Sequence, residues 1–158
     1  VGDVIVPKQE KRRIPTQLDG FVPPAINTYS IETTVAEKID AILSLMEFSS
    51  RMKDYYDIYY LSHKFDFEGK ILYEALSKTF TNREHSFTIE QFKQIMTFDS
   101  DDGMQKKWRA FTKKIDVEME EFPVIIQSIN VFLSEPYTAV INGTIFEKQW
   151  NAKEGSWE

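Results

Sequence analysis

Cysteine is absent from these 158 residues, which excludes disulfides, thiolate metal sites and a cysteine nucleophile. Histidine is scarce. His63 and His85 stand a whole predicted helix apart without metal-ligand spacing, so each reads as a structural or surface residue. The chain has no HExxH and no Gly-rich phosphate loop, which removes the zinc-peptidase and P-loop signatures. Apolar runs are short, none approaching the roughly 20 residues of a membrane span. The opening VGDVIVPK is too short and too acidic for a signal peptide. A cytoplasmic location without membrane contact is therefore the default. Positive charge is also in deficit, giving a formal net charge of -6. Such a surface repels a phosphate backbone over most of its area and argues against non-specific duplex binding. The basic run PKQEKRR, with Lys8, Lys11, Arg12 and Arg13, reads as a solvated loop, with a local basic site as the alternative.

What is present is apolar and aromatic: 42% hydrophobic and 14% aromatic residues, enough for one packed domain. The chain opens in what reads as a strand, VGDVIV, which needs a neighbour for its ladder. A Pro-rich loop through Pro15 and Pro23-Pro24 follows, extended up to Tyr29. Ser30 reads as the N-cap of a helix IETTVAEKIDAILSLME, with Glu32 in the first turn and Val35, Ile39, Ile42 and Met46 inward at spacings of four, three and four. Phe48-Ser49-Ser50 closes it, and a second helix starts at about Met52. Further helices are expected over Phe67–Phe80, over Ile89–Met96 with Thr88 as cap, and through the stripe Met104, Trp108, Phe111 and Ile115. Asp99, Asp101 and Asp102 in FDSDDG read as helix caps, because they lack the ligand alternation of a calcium loop. A last helix places Pro123 in its first turn, passes Ile126, Ile129 and Leu133, and ends at Pro136. The expected architecture is mainly α: a helical bundle with a short N-terminal strand. It divides into a strand and loop (1–28), a helical domain (29–135) and an irregular C-terminal arm or small hairpin (136–158).

The chemistry concentrates in RMKDYYDIYYL, from Arg51 to Leu61. Asp54 shares a helical row with Ile58 and Leu61, and Asp57 flanks it. An inward carboxylate costs several kcal/mol unless it is paired. The short connection from the first helix favours an antiparallel hairpin, in which Lys38 faces Asp54 or Asp57 across the interface. Glu37, Lys38, Arg51, Lys53, Asp54 and Asp57 then admit two readings. One is an ion-pair network pinning the hairpin. The other is an anion site in which Lys38 meets phosphate as a compact positive charge.

The pair YSIETTVAEKIDAIL and SRMKDYYDIYYL resembles the closing motifs of the AbiEii/AbiGii-type toxins, nucleotidyltransferase-like proteins of bacterial abortive-infection and toxin–antitoxin systems. VGDVIVPK, ALSKTFTNRE, KKWRAF and FPVIIQSINVFLSEP resemble the same family's context, so the likeness covers nearly the whole chain. It implies the C-terminal part of an α/β nucleotidyltransferase-like fold. It also implies catalytic roles for Lys38, which contacts nucleotide phosphate, and for Asp54, which assists or orients the chemistry. Arg51, Lys53, Asp57 and Glu37 match surrounding motif positions, and Arg51, Lys53 and Asp57 are expected to help bind nucleotide with Lys38. A nucleoside triphosphate and Mg2+ are the implied cofactors of the intact protein. RNA, such as a tRNA acceptor end, or a protein is the implied acceptor, and a cognate antitoxin the implied partner. The family's Gly-Ser loop and Asp-x-Asp pair, which bind metal and nucleotide, do not occur ahead of these motifs, and Asp3 alone cannot recreate a two-metal clamp. The expectation is accordingly a C-terminal portion lacking the N-terminal half of the fold, with no metal or cofactor of its own and no activity alone. The alternative is a non-enzymatic helical interaction or scaffolding domain.

Overall fold

Ser30 caps the first helix as its sequence demands: its Oγ accepts the Thr33 N–H at 3.1 Å. The computed structural model describes residues 10–13, 25–28, 30–115 and 118–158. Among these lie six helices: α1 (Ile31–Leu45), α2 (Met52–Lys64), α3 (Gly69–Asn82), α4 (Ile89–Met96), α5 (Asp102–Ile115) and α6 (Phe122–Asn142). The strands are β1 (Glu10–Arg13), β2 (Ala25–Thr28), β3 (Phe67–Glu68), β4 (Gln149–Asn151) and β5 (Ser156–Trp157). The fold is mainly α. The strand expected over VGDVIV, together with Asp3 and Lys8, lies outside the described residues. EKRR, expected as loop, is β1, paired antiparallel with β2 so that Glu10 faces Thr28.

Helix α1 packs against α2 and α3, and α6 against α2 and α3, so these four close a ring around the core. Two rows of α1 explain its central place. Val35, Ile39 and Ile42 form one, Ala36, Asp40 and Leu43 the other, and all six residues are buried. Met46 leaves the helix for a 3-10 turn, Met46–Phe48, at a positive φ of 49°. Thr88 and Gln91 form the capping box of α4, and Asp101 Oδ1 accepts the Met104 N–H at 2.7 Å at the start of α5. Along α5 Met104 and Trp108 are buried, but the stripe fades until Ile115 is 38% exposed.

Three expectations are corrected. Helix α3 starts at Gly69 because Phe67 and Glu68 pair with Trp150 and Gln149 of β4, a partner far along the chain that local periodicity cannot reveal. Gly69 is needed there: its N–H donates to Lys148 O at 2.8 Å, and a Cβ would stand 2.5 Å from that oxygen. Helix α6 does not end at Pro136 but runs to Asn142, with Gly143 in the left-handed region as its cap. A proline withholds the N–H that would have bonded the carbonyl of Phe132, four residues earlier. That oxygen instead accepts the Trp157 indole N–H at 2.8 Å. The division expected at 136 therefore falls inside a helix, and the tail forms the hairpin β4–β5 with Trp150 buried in the core. Finally, α6 spans 21 residues at a mean hydropathy of 1.3, long and apolar enough to cross a membrane by length and composition. Its core-facing row, from Ile125 through Ile126, Ile129, Phe132 and Leu133 to Tyr137, is buried against the other helices.

Candidate functional site

The site is built on the α1–α2 hairpin, whose connection is itself clamped. Ser49 Oγ accepts the Arg51 N–H at 3.1 Å. Lys107 of α5 reaches over to donate to the carbonyls of Glu47 and Ser49 at 2.8 and 3.0 Å. That fixes α2 so that Asp54 sits in its first turn, where the helix dipole favours a carboxylate.

Five of the six residues singled out in the sequence converge. The Lys38 Nζ donates to Asp54 Oδ1 at 3.0 Å and lies 2.6 Å from Asp57 Oδ2. Arg51 Nε stands 2.8 Å from Asp54 Oδ2, and Lys53 Nζ 2.6 Å from Asp57 Oδ2. The Arg51 contact is a charge pairing without hydrogen-bond alignment, since Asp54 Oδ2 has no hydrogen-bond partner among the described residues. Glu37, one residue from Lys38, turns to a different neighbour and approaches Arg83 at 3.8 Å.

Burial grades the cluster. The Asp54 side chain is 4% exposed and Lys38 19%, whereas Arg51 and Lys53 are 58% and 71% exposed. Burial alone lowers the Lys38 pKa, but hydrogen bonds and charge from Asp57 and Asp54 outweigh it, and the ammonium is held above its ordinary value. Lys38 is thus a fixed cation. Two of its three N–H donors meet carboxylates, and the third has no partner among the described residues. Three cations against two carboxylates leave one positive charge in excess. Beneath Asp54 the Tyr55 hydroxyl is buried without a hydrogen-bond partner among the described residues, and burial, then the Asp54 charge, push its pKa up.

A second cluster escaped the sequence reading. Asp40, 1% exposed, accepts from Arg83 at 3.0 Å and pairs with His85 Nδ1 at 2.8 Å. Its signal was present: Asp40 lies between Ala36 and Leu43 at spacings of four and three, a buried row. Ser44 Oγ also lies near His85 Nδ1, at 3.4 Å, and donates to Asp40 O. Serine and aspartate approach the same ring nitrogen, so this is not a nucleophile–base–acid relay, which uses opposite nitrogens.

A family model described as nucleotidyl transferase AbiEii toxin, type IV TA system, matches residues 1–132. The chain belongs to the AbiEii family. No curated protein and no solved structure matches it. Both halves of the hairpin and most of the helical ring fall within the matched span, and the family is one of nucleotidyl transferase toxins in a toxin–antitoxin system.

The clustered residues suit a nucleotide phosphate: a semi-buried lysine with an N–H unpartnered among the described residues, flanked by two exposed cations. They do not suit Mg2+. Asp54 and Asp57 each already meet two cations, and Asp54 Oδ2 is sealed from solvent. Among the described residues no group of three His, Asp or Glu is placed to hold a metal ion.

Proposed function

We propose that Lys38 contacts the phosphates of a nucleoside triphosphate in nucleotidyl transfer, and that Asp54 and Asp57 hold its ammonium in place. The observation that carries this is the Lys38 Nζ, fixed between two carboxylates, with one donor unpartnered among the described residues. In the transfer, an acceptor hydroxyl oxygen bonds to the α-phosphorus, its proton passes to solvent, and the bond to the bridging oxygen breaks. Pyrophosphate leaves with the charge that a fixed cation offsets. Asp54 is too enclosed to touch substrate, so its part is to position Lys38. Arg51 and Lys53 extend the positive edge toward solvent, where the outer phosphates would lie. The acceptor is RNA, such as a tRNA end, the setting is the cytoplasm, and a cognate antitoxin is the regulating partner. Mg2+ would accompany the triphosphate on other carboxylates. Because no Asp-x-Asp pair precedes Lys38 in the sequence, these 158 residues are expected to bind nucleotide without transferring it.

Calorimetric titration of the chain with each nucleoside triphosphate and with pyrophosphate tests the reading. Lys38→Ala should weaken binding at least tenfold, and Asp54→Asn should weaken it less. Equal affinity in wild type and Lys38→Ala removes Lys38 from the site. Absence of any binding leaves the scaffolding reading in place. Incubation with labelled triphosphates, Mg2+ and bulk tRNA should leave RNA and protein unlabelled, and label in either overturns the expectation of inactivity.

A further inference from the structure

Four of the seven tyrosines fall within the six residues from Tyr55 to Tyr60: Tyr55 is fully buried in the core, while Tyr56 and Tyr59 pack against it and stay partly open. At 100° per residue the side chains run round α2 in the order Asp54, Asp57, Lys53, Tyr60, Tyr56, Tyr59. The charged site therefore passes without a break into an aromatic face. Tyr60 lies one turn beyond Asp57, about 4.5 Å along the axis. Tyr56, Tyr59 and Tyr60 line a groove of about 460 Å³ whose other wall is Glu118, Met119 and Glu120. That volume lies within the roughly 300–1,000 Å³ of ligand pockets.

The groove is braced rather than loose. The Tyr56 ring sits 6.0 Å from Tyr60 and 6.4 Å from Phe111 of α5. Tyr59 is covered by His63 at 4.2 Å, so the Tyr59 ring is backed. The wall is pinned by the Trp108 indole, which donates to Glu120 O at 3.0 Å. Tyr60 remains 47% exposed, a flat ring facing solvent. Burial, then the Glu120 charge, raise the Tyr59 pKa.

We propose that this groove is the subsite for the nucleobase of the nucleotide whose phosphates lie at Lys38, and that it selects an amino-bearing base: cytosine, adenine or guanine over uracil. The proposal rests on the phosphate reading of Lys38 and adds a second, separable contact. Tyr60 supplies the stacking face, which is open to any base. Glu118 and Glu120 are acceptors only, so they repel phosphate from the groove and match exocyclic amino donors, which uracil lacks. Charge thus fixes the polarity of the ligand along α2, with phosphate at the lysines and base among the tyrosines.

The test uses the whole chain with cytidine, CMP, UMP and inorganic phosphate, following affinity by calorimetry and ring contacts by saturation-transfer NMR. CMP should bind more tightly than both inorganic phosphate and UMP. Tyr60→Ala should weaken CMP by about 5- to 150-fold, the worth of one base–aromatic stack, and leave inorganic phosphate binding unchanged. Tyr60→Phe should keep CMP affinity. The double variant Glu118→Gln, Glu120→Gln should narrow the gap between CMP and UMP. If inorganic phosphate binds, but CMP binds no better and Tyr60→Ala changes nothing, the groove is overturned and the Lys38 reading stands. If cytidine contacts the tyrosines while Lys38→Ala has no effect on phosphate, the groove stands and the Lys38 reading falls. Binding of neither cytidine nor CMP overturns the groove, as does loss of CMP affinity in Tyr60→Phe equal to that in Tyr60→Ala.

Discussion

Lys38→Ala separates a structural pair from a functional one, and its size follows from the geometry. The substitution takes one of two cations from Asp54 and one of two from Asp57. A buried carboxylate left wholly unpaired costs about 3–5 kcal/mol. Asp54 keeps Arg51 at 2.8 Å and the first turn of α2, which together return about 1–2 kcal/mol. The truncated side chain lies at the edge of the core and opens little cavity. The expected loss is about 2 kcal/mol, or about 4–8 °C in Tm for a domain of this size. The sign with pH follows from the Lys38 shift. Its pKa in the fold is above the ordinary 10.5, so the pair's contribution is complete below pH 10.5 and declines as pH rises through the folded value. Urea denaturation of wild type and Lys38→Ala at pH 8, 9.5 and 11.5 should therefore show a constant gap at the first two and a smaller one at the third. Identical stabilities at pH 8 would refute the claim that Lys38 holds Asp54. A gap undiminished at pH 11.5 would show that packing, not charge, carries the difference.

Other outcomes are equally specific. Trp157→Phe should cost about 1–3 kcal/mol by stranding the Phe132 carbonyl. Adding Pro136→Ala should recover part of it by restoring a helical donor, and a denaturation double-mutant cycle that is simply additive would contradict the link. Gly69→Ala should destabilise by about 1–3 kcal/mol through overpacking, because its Cβ meets Lys148 O at 2.5 Å; an unchanged Tm would mean that the β3–β4 junction yields freely. Removing both Arg83 and His85 should cost more than Asp40→Ala. The double variant strands a carboxylate that is 1% exposed, whereas the single one frees two partners that water already reaches. The reverse order in chemical denaturation would count against that account.

Much of the helical frame was readable locally. Ser30, Thr88 and Pro123 mark helix starts through capping and fixed φ, and stripes such as Val35–Ile39–Ile42 declare a buried face through 3.6-residue spacing. The charged residues of the hairpin were legible for a related reason: a short connection forces antiparallel helices, and an inward Asp54 demands a cation that Lys38 is placed to supply. Sequence alone could not choose between Asp54 and Asp57 as the Lys38 partner, because the crossing angle of two helices belongs to the packed bundle. The structure engages both. The remainder depended on contacts between distant segments. Pro136 reads as a stop until Trp157 supplies the missing donor, and Phe67 reads as helix until β4 pairs with it. Asp40 acquires meaning only when Arg83 and His85 arrive from the far end of α3. The tyrosines of α2 likewise form a groove only because Trp108 holds Glu120 opposite them. Periodicity and capping are encoded within a turn or two of chain. Backbone donors, salt-bridge partners and groove walls come from tens of residues away, and only tertiary packing brings them together.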